Sequence, residues 1–220
     1  DSVTVGVGQF ADAVVNGDAV FSDATFDRLV LDECRFRSDS SFAGLAVSGD
    51  CSARGAEFQG QDNVDDDDVT FAQATFGGSV DFFSAAFRYS DFSGVTVAGD
   101  VSYVSATFDD DAVFDGAHVA GAASFEEARF RDDASFERAV FDDGASFDGA
   151  EFHGGDNVRE DDVSFGGAVF GDGASFEKAA FRYARFDDAA FGGSACFHGA
   201  EFTRMAVFSE VRFEGRATFE

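Results

Sequence analysis

Large apolar residues recur along this chain in steps of five and six. From Phe108 they run Phe114, Val119, Phe125, Phe130, Phe136, Phe141, Phe147 and Phe152, and the ladder resumes at Phe165 and continues to Phe219. Backwards it passes Tyr103, Val97, Phe92, Phe87, Phe82, Phe76 and Phe71, then Phe58, Ala53, Val47, Phe42, Phe36, Leu31, Phe26, Phe21, Val15, Phe10 and Val5. Thirty-eight central positions result, 30 of them Phe, and only Phe83 lies off the ladder. Two residues before each centre sits a second apolar or small residue, Ala in 24 of the 38 cases, and Asp, Glu, Arg, Ser and Gly fill the rest. Side chains two apart share one face of an extended segment, so each unit predicts a short strand with the small residue and the Phe on the same side. A helix is excluded, because these steps scatter the Phe side chains around a 3.6-residue spiral instead of lining one stripe. Short extended pieces, each turning a corner after its Phe, give one buried column.

The step lengths carry the organisation. Numbering centres from Val5, every even-to-odd step is five residues, whereas odd-to-even steps are five, six or, twice, thirteen. The two long steps place insertions at 59–70 and 153–164. They start 16 centres apart, an integer number of turns for a four-sided coil, so both are expected at one corner, four coils apart. The segments AEFQGQDNVDDDDVTF (56–71) and AEFHGGDNVREDDVSF (150–165) are alike, and AAFRY recurs at 85–89 and 179–183. An offset of 94 residues relates them all, the mark of an internal duplication within one array spanning 1–220.

The repeated Ala–x–Phe–x–x unit resembles the pentapeptide-repeat family, in a variant where five- and six-residue steps alternate, and the resemblance covers essentially the whole chain. It implies an all-β fold, a right-handed quadrilateral β-helix with Phe and Ala filling the bore. Thirty-eight centres at four per coil give about nine to ten coils, and at roughly 4.8 Å per coil a rod of about 45 Å. The chain does not begin with Met and neither end shows a capping helix. A missing cap or further domain, or a homo-oligomer through the rod ends, is therefore expected.

Composition narrows the function. Fifteen basic against 43 acidic residues give a net charge of −28, and a single lysine stands beside 14 arginines. Such a chain repels nucleic-acid phosphates and anionic membranes, so neither is expected as a direct ligand. There is no apolar run long enough to span a bilayer and no visible signal peptide, which favours a cytoplasmic location. Cys34 and Cys51 fall on core positions and Cys196 on an outward one, so no disulfide framework is expected. His118, His153 and His198 fall on unrelated faces, and no nucleotide-binding, hydrolase or metalloprotease motif occurs. No enzyme, cofactor or metal site is expected.

The candidate interaction surface is the loop corner. It comprises Asp62, Asp65, Asp66, Asp67 and Asp68 in one insertion, and Asp156, Glu160, Asp161 and Asp162 in the other. Arg88 with Tyr89, and Arg182 with Tyr183, follow one coil later, and each tyrosine is expected to pack under its loop. Acidic runs can collect oxygen ligands for Ca²⁺, but the spacing is not that of an EF-hand, and a solvated loop face is the reading adopted. The overall acidity has two readings. It resembles the salt-adapted proteins of halophilic archaea, in a non-catalytic scaffold or protein-binding module whose partner the sequence does not name. Alternatively, some pentapeptide-repeat proteins bind type II topoisomerases such as DNA gyrase in place of duplex DNA. A duplex carries one charge per ~1.7 Å, so about 45 Å of it holds about 26 charges, close to the number here.

Overall fold

Every central side chain the ladder predicts to be inside, from Phe36 to Phe197, is buried in the computed structural model, which describes residues 4–60, 69–154 and 163–220. Among the described residues there is no helix, and all strand pairs are parallel. Two sheets, of 18 and 16 strands, wrap one bore and form about nine turns.

Four ladders make the four faces. Face 1 stacks Phe26, Val47, Phe76, Val97, Val119, Phe141, Phe170, Phe191 and Phe213 in direct register. Face 2 carries the column from Leu31 to Phe219, face 3 the column from Val15 to Phe202, and face 4 the column from Phe21 to Phe208. On faces 1 and 3 the paired strand residues are the centre and the residue before it, as in Thr107–Phe108. On faces 2 and 4 they are the two residues before the centre, as in Ala134–Ser135.

One difference from the expected short pieces is informative. Where an odd-to-even step is five residues, the strand can run through the corner, as in Thr25–Val30 and Ala180–Arg185, each of which pairs on two faces. The five-residue step from Phe87 to Phe92 instead breaks into Ala86–Phe87 and Ser90–Asp91. Near the end, Glu201–Val207 spans both faces with a register shift opposite Phe181–Tyr183.

The bore is filled by ring stacks. On face 4 nine phenylalanines from Phe21 to Phe208 stack in sequence, for example Phe42 on Phe71 at 4.5 Å and Phe114 on Phe136 at 4.7 Å, with planes 4° and 2° apart. Rings of neighbouring faces meet edge-on, as Phe108 meets Phe114 at 80°. Offset stacking and edge contacts are the two geometries the ring quadrupole favours. The small residue two before each Phe leaves the room these rings occupy, which is why Ala dominates there.

The tight corners share one backbone solution. After every even centre from Phe10 to Phe208, the second residue has positive φ, and through Phe197 the third donates its N–H back to the centre's carbonyl, as Ala128 does to Phe125 at 3.1 Å. Such a turn requires the left-handed region at its third residue. Glycine occupies it at seven of these corners, including Gly116 and Gly149, and a non-glycine residue at 11, including Ser84, Glu127 and Arg138 with φ of 54°, 56° and 56°.

Acidic residues stitch adjacent coils. The Asp115 carboxylate accepts the Ser135 hydroxyl at 2.5 Å and the Glu137 N–H at 3.1 Å from the next coil. Asp148 does the same with Ser175 and Glu177, and Asp32 with Ser52 and Arg54. Part of the negative charge is therefore used in satisfying turn backbone between coils.

A charged corner between faces 3 and 4

Both insertions leave the corner that joins face 3 to face 4. The chain departs after Phe58 and Phe152, turns at Gly60 (φ 58°) and Gly154 (φ 62°), and re-enters the ladder at Val69 and Val163. Phe58 and Phe152 belong to one column, separated by Phe87, Phe108 and Phe130. The acids singled out in the loops (Asp62, Asp65, Asp66, Asp67, Asp68, Asp156, Glu160, Asp161 and Asp162) lie outside the described residues. So do the loop partners expected for Tyr89 and Tyr183.

The four remaining candidates are described. Arg88 and Tyr89 sit on this corner one coil beyond the first insertion, and Arg182 and Tyr183 one coil beyond the second. The Arg182 guanidinium carbon lies 5.7 Å from the centre of the Tyr183 ring. Arg88 lines an open hollow of about 330 Å³ together with Glu57, Gln59, Asp109 and Asp110.

Sequence reasoning missed the acids between the insertions. Asp110 and Asp111 lie one coil from Asp132 and Asp133, and the ligand oxygens of Asp110, Asp111 and Asp132 all fall within 4.8 Å of one another. Burial, then the charges of Asp132, Asp133 and Asp110, raise the Asp111 carboxyl to about 6. The signal was present: Asp–Asp recurs at an interval of 22 residues, one coil. Partly exposed acidic groups commonly gather without an ion, so the cluster is not assigned as a metal centre.

Face 3 itself is a charged ladder. Arg35 pairs with Glu57 at 3.1 Å, Arg129 with Glu151 at 3.6 Å, and Arg131 with Asp109 at 2.5 Å, each between neighbouring coils. Its outward positions hold six of the 14 arginines.

Elsewhere the titratable groups are spread out. His118 meets Asp142 at 2.9 Å on face 1, and His153 meets Glu151 at 3.1 Å on face 3. The Cys34 thiol donates to the Phe10 carbonyl at 2.7 Å, and burial, with Asp32 nearby, pushes Cys51 up to about 12. Neither thiol is a nucleophile at neutral pH.

The model of the family described as pentapeptide repeats (9 copies) matches residues 103–157. Comparison with curated proteins found no match. Among solved structures, full-length QnrB1, a plasmid-mediated fluoroquinolone resistance protein, aligns at 12% identity over 96% of this chain and 92% of its own, with a TM-score of 0.45. HetL, a pentapeptide-repeat protein involved in heterocyst differentiation regulation in the cyanobacterium Nostoc, aligns at 16% identity over 94% and 90%, with a TM-score of 0.31. The family's unit is thus matched at 103–157, and the same four ladders continue on either side of it through the described residues.

Proposed function

We propose that this chain is a non-catalytic, protein-binding rod from a halophilic organism, working in the cytoplasm. The observation that supports this most is the contrast between inside and outside. The bore is packed with rings, while the outward charged side chains lie along flat ladders and pair with neighbours. Two surface hollows among the described residues, of about 440 and 330 Å³, are open, the larger lined by Ala, Gly and Ser with a few acids and Cys196. Catalytic groups need a water-poor setting to shift their pKa values, and an open ladder offers little of it. Acidity with one lysine fits high salt, where screening weakens self-repulsion. The test is capture from a haloarchaeal lysate at graded KCl, against an unrelated rod of equal net charge. A protein retained by this chain alone is the expected result; equal retention on both columns refutes the reading. A chain that melts at the same temperature in low and molar KCl refutes the salt-adapted part.

A second reading is favoured by charge per length. Ring-to-ring spacings of 4.5 to 5.5 Å over about nine turns put the −28 charge on roughly 45 Å, about the linear density of duplex DNA. This supports a mimic that occupies the DNA-binding surface of a type II topoisomerase. Gyrase supercoiling unchanged by micromolar protein, in salt the enzyme tolerates, removes it.

A further inference from the structure

The two halves related by the 94-residue offset can be compared face by face. Each face shows eight outward positions, flanking four centres, in the first half. On face 3 five of the eight are identical in the second half: Arg35/Arg129, Arg37/Arg131, Glu57/Glu151, Ala86/Ala180 and Arg88/Arg182. On faces 1, 2 and 4 only one, two and two of eight are identical. The inward positions of every face are held by packing, so retention of outward residues on one face alone has no explanation in the core.

What was retained is an arginine row. The residue after each centre on face 3 is arginine at every second coil: Arg37, Arg88, Arg131 and Arg182. Gln59, Asp109 and His153 alternate with them. Centres in this column are 4.6 to 5.1 Å apart ring to ring, so the arginines recur about every 10 Å. The outward positions of face 3 hold six arginines against Glu57, Asp109, Glu151 and Glu201, a net positive strip on a chain of −28. Arg131, with its side chain 59% exposed, binds Asp109 through one terminal nitrogen, and Arg37 binds Asn16 the same way. A guanidinium has five N–H donors, so a second carboxylate can be accommodated.

We propose that face 3 is a docking strip for an acidic α-helix whose carboxylates recur at heptad spacing. The period selects the partner. Seven helical residues rise about 10.5 Å, close to the arginine interval, and long arginine side chains absorb the remainder. In a β-strand, residues on one side recur at about 6.6 and 13 Å, which matches neither. A polyanion would be repelled by the rest of the rod, whereas a helix can present acids on one stripe only.

This inference rests on the protein-binding reading and names the partner class for it. The test uses the whole chain and two labelled helical peptides of alanine and glutamine. One carries four glutamates at heptad spacing, and its isomer carries the same four at five-residue spacing. Fluorescence anisotropy at moderate salt should show the heptad peptide binding about tenfold tighter. That preference should vanish in the Arg37→Gln/Arg131→Gln double variant and survive Arg54→Gln on face 2. Equal affinity for both peptides overturns the proposal as mere charge attraction. Self-association abolished by the double variant also overturns it, in favour of a second copy. If neither peptide binds while lysate capture succeeds, the helical partner class fails and the protein-binding reading stands; if both fail, both fall.

Discussion

Eleven corners place a non-glycine residue in the left-handed region that seven equivalent corners give to glycine. For an L-residue that conformation costs about 1–2 kcal/mol. Glycine removes the strain but adds about 0.4–1 kcal/mol of unfolded-state entropy. The net gain at each corner is then about 0.5–1 kcal/mol. Ser84, Glu127 and Arg138 are suitable sites, with φ of 54°, 56° and 56°. Glu127 has one long hydrogen bond, from Ser105 at 3.4 Å, and Arg138 pairs only with the adjacent Glu137 at 3.4 Å while 71% exposed. Such contacts contribute little. The triple variant Ser84→Gly/Glu127→Gly/Arg138→Gly should gain about 2 kcal/mol, since the corners are separate and their effects add. At about 2–4 °C per kcal/mol for a chain of this size, melting followed by circular dichroism at fixed KCl should rise by about 4–8 °C. The control is Gly149→Ala (φ 66°), which should lower it by about the amount one substitution raises it. A triple variant that melts at or below the parent refutes the claim that these corners store strain.

Three further outcomes follow from the packing and the charges. Phe136, fully buried between Phe114 and Phe165, should cost about 3–5 kcal/mol as Phe136→Ala in chemical denaturation, and less than 1 kcal/mol would mean the stack relaxes around the hole. Asp115→Ala strips one acceptor from both the Ser135 hydroxyl and the Glu137 N–H and should cost about 1–2 kcal/mol, while Asp115→Asn, which keeps an acceptor, should lose less. Asp111 has a folded-state pKa raised to about 6, above its unfolded value, so ionising it opposes folding. That penalty is complete above pH 6 and disappears as pH falls towards 4, so stability should rise on acidification across this window. The shift is equivalent to about 3 kcal/mol, which screening at a half-exposed site reduces to about 1. Melting of Asp111→Asn should lack this pH slope, and an unchanged slope would place its origin elsewhere.

The fold was legible because the Phe ladder encodes both a period and a direction. Steps of five and six with Ala two before each Phe leave few ways to bury 30 rings other than a four-sided coil. Less visible was the split in strand position between odd and even faces, since it depends on backbone turns that the side-chain pattern hardly marks. The left-handed corners carry Ser, Glu, Gln, Arg or Lys as readily as Gly, so composition did not reveal them. At the candidate site, Arg88 and Tyr89 stood out by repetition in sequence. The Asp110–Asp111–Asp132 cluster needed the register, because those acids become neighbours only when coil is laid on coil. The arginine row was hidden for the same reason: its members are 43 to 51 residues apart along the chain and two coils apart in space.

The registers from face to face also bear on how such a chain reaches its native state. Each paired residue finds its partner 21 to 29 positions away, and longer-range pairings are absent from the ladders of the described residues. Relative to the chain length that is a contact order of about 0.1, a value typical of helical bundles rather than of β-sandwiches. An all-β protein of this design needs no distant strand to arrive before it can close. Each turn can be wound onto the one before it as the chain leaves the ribosome, with one fresh edge exposed at a time.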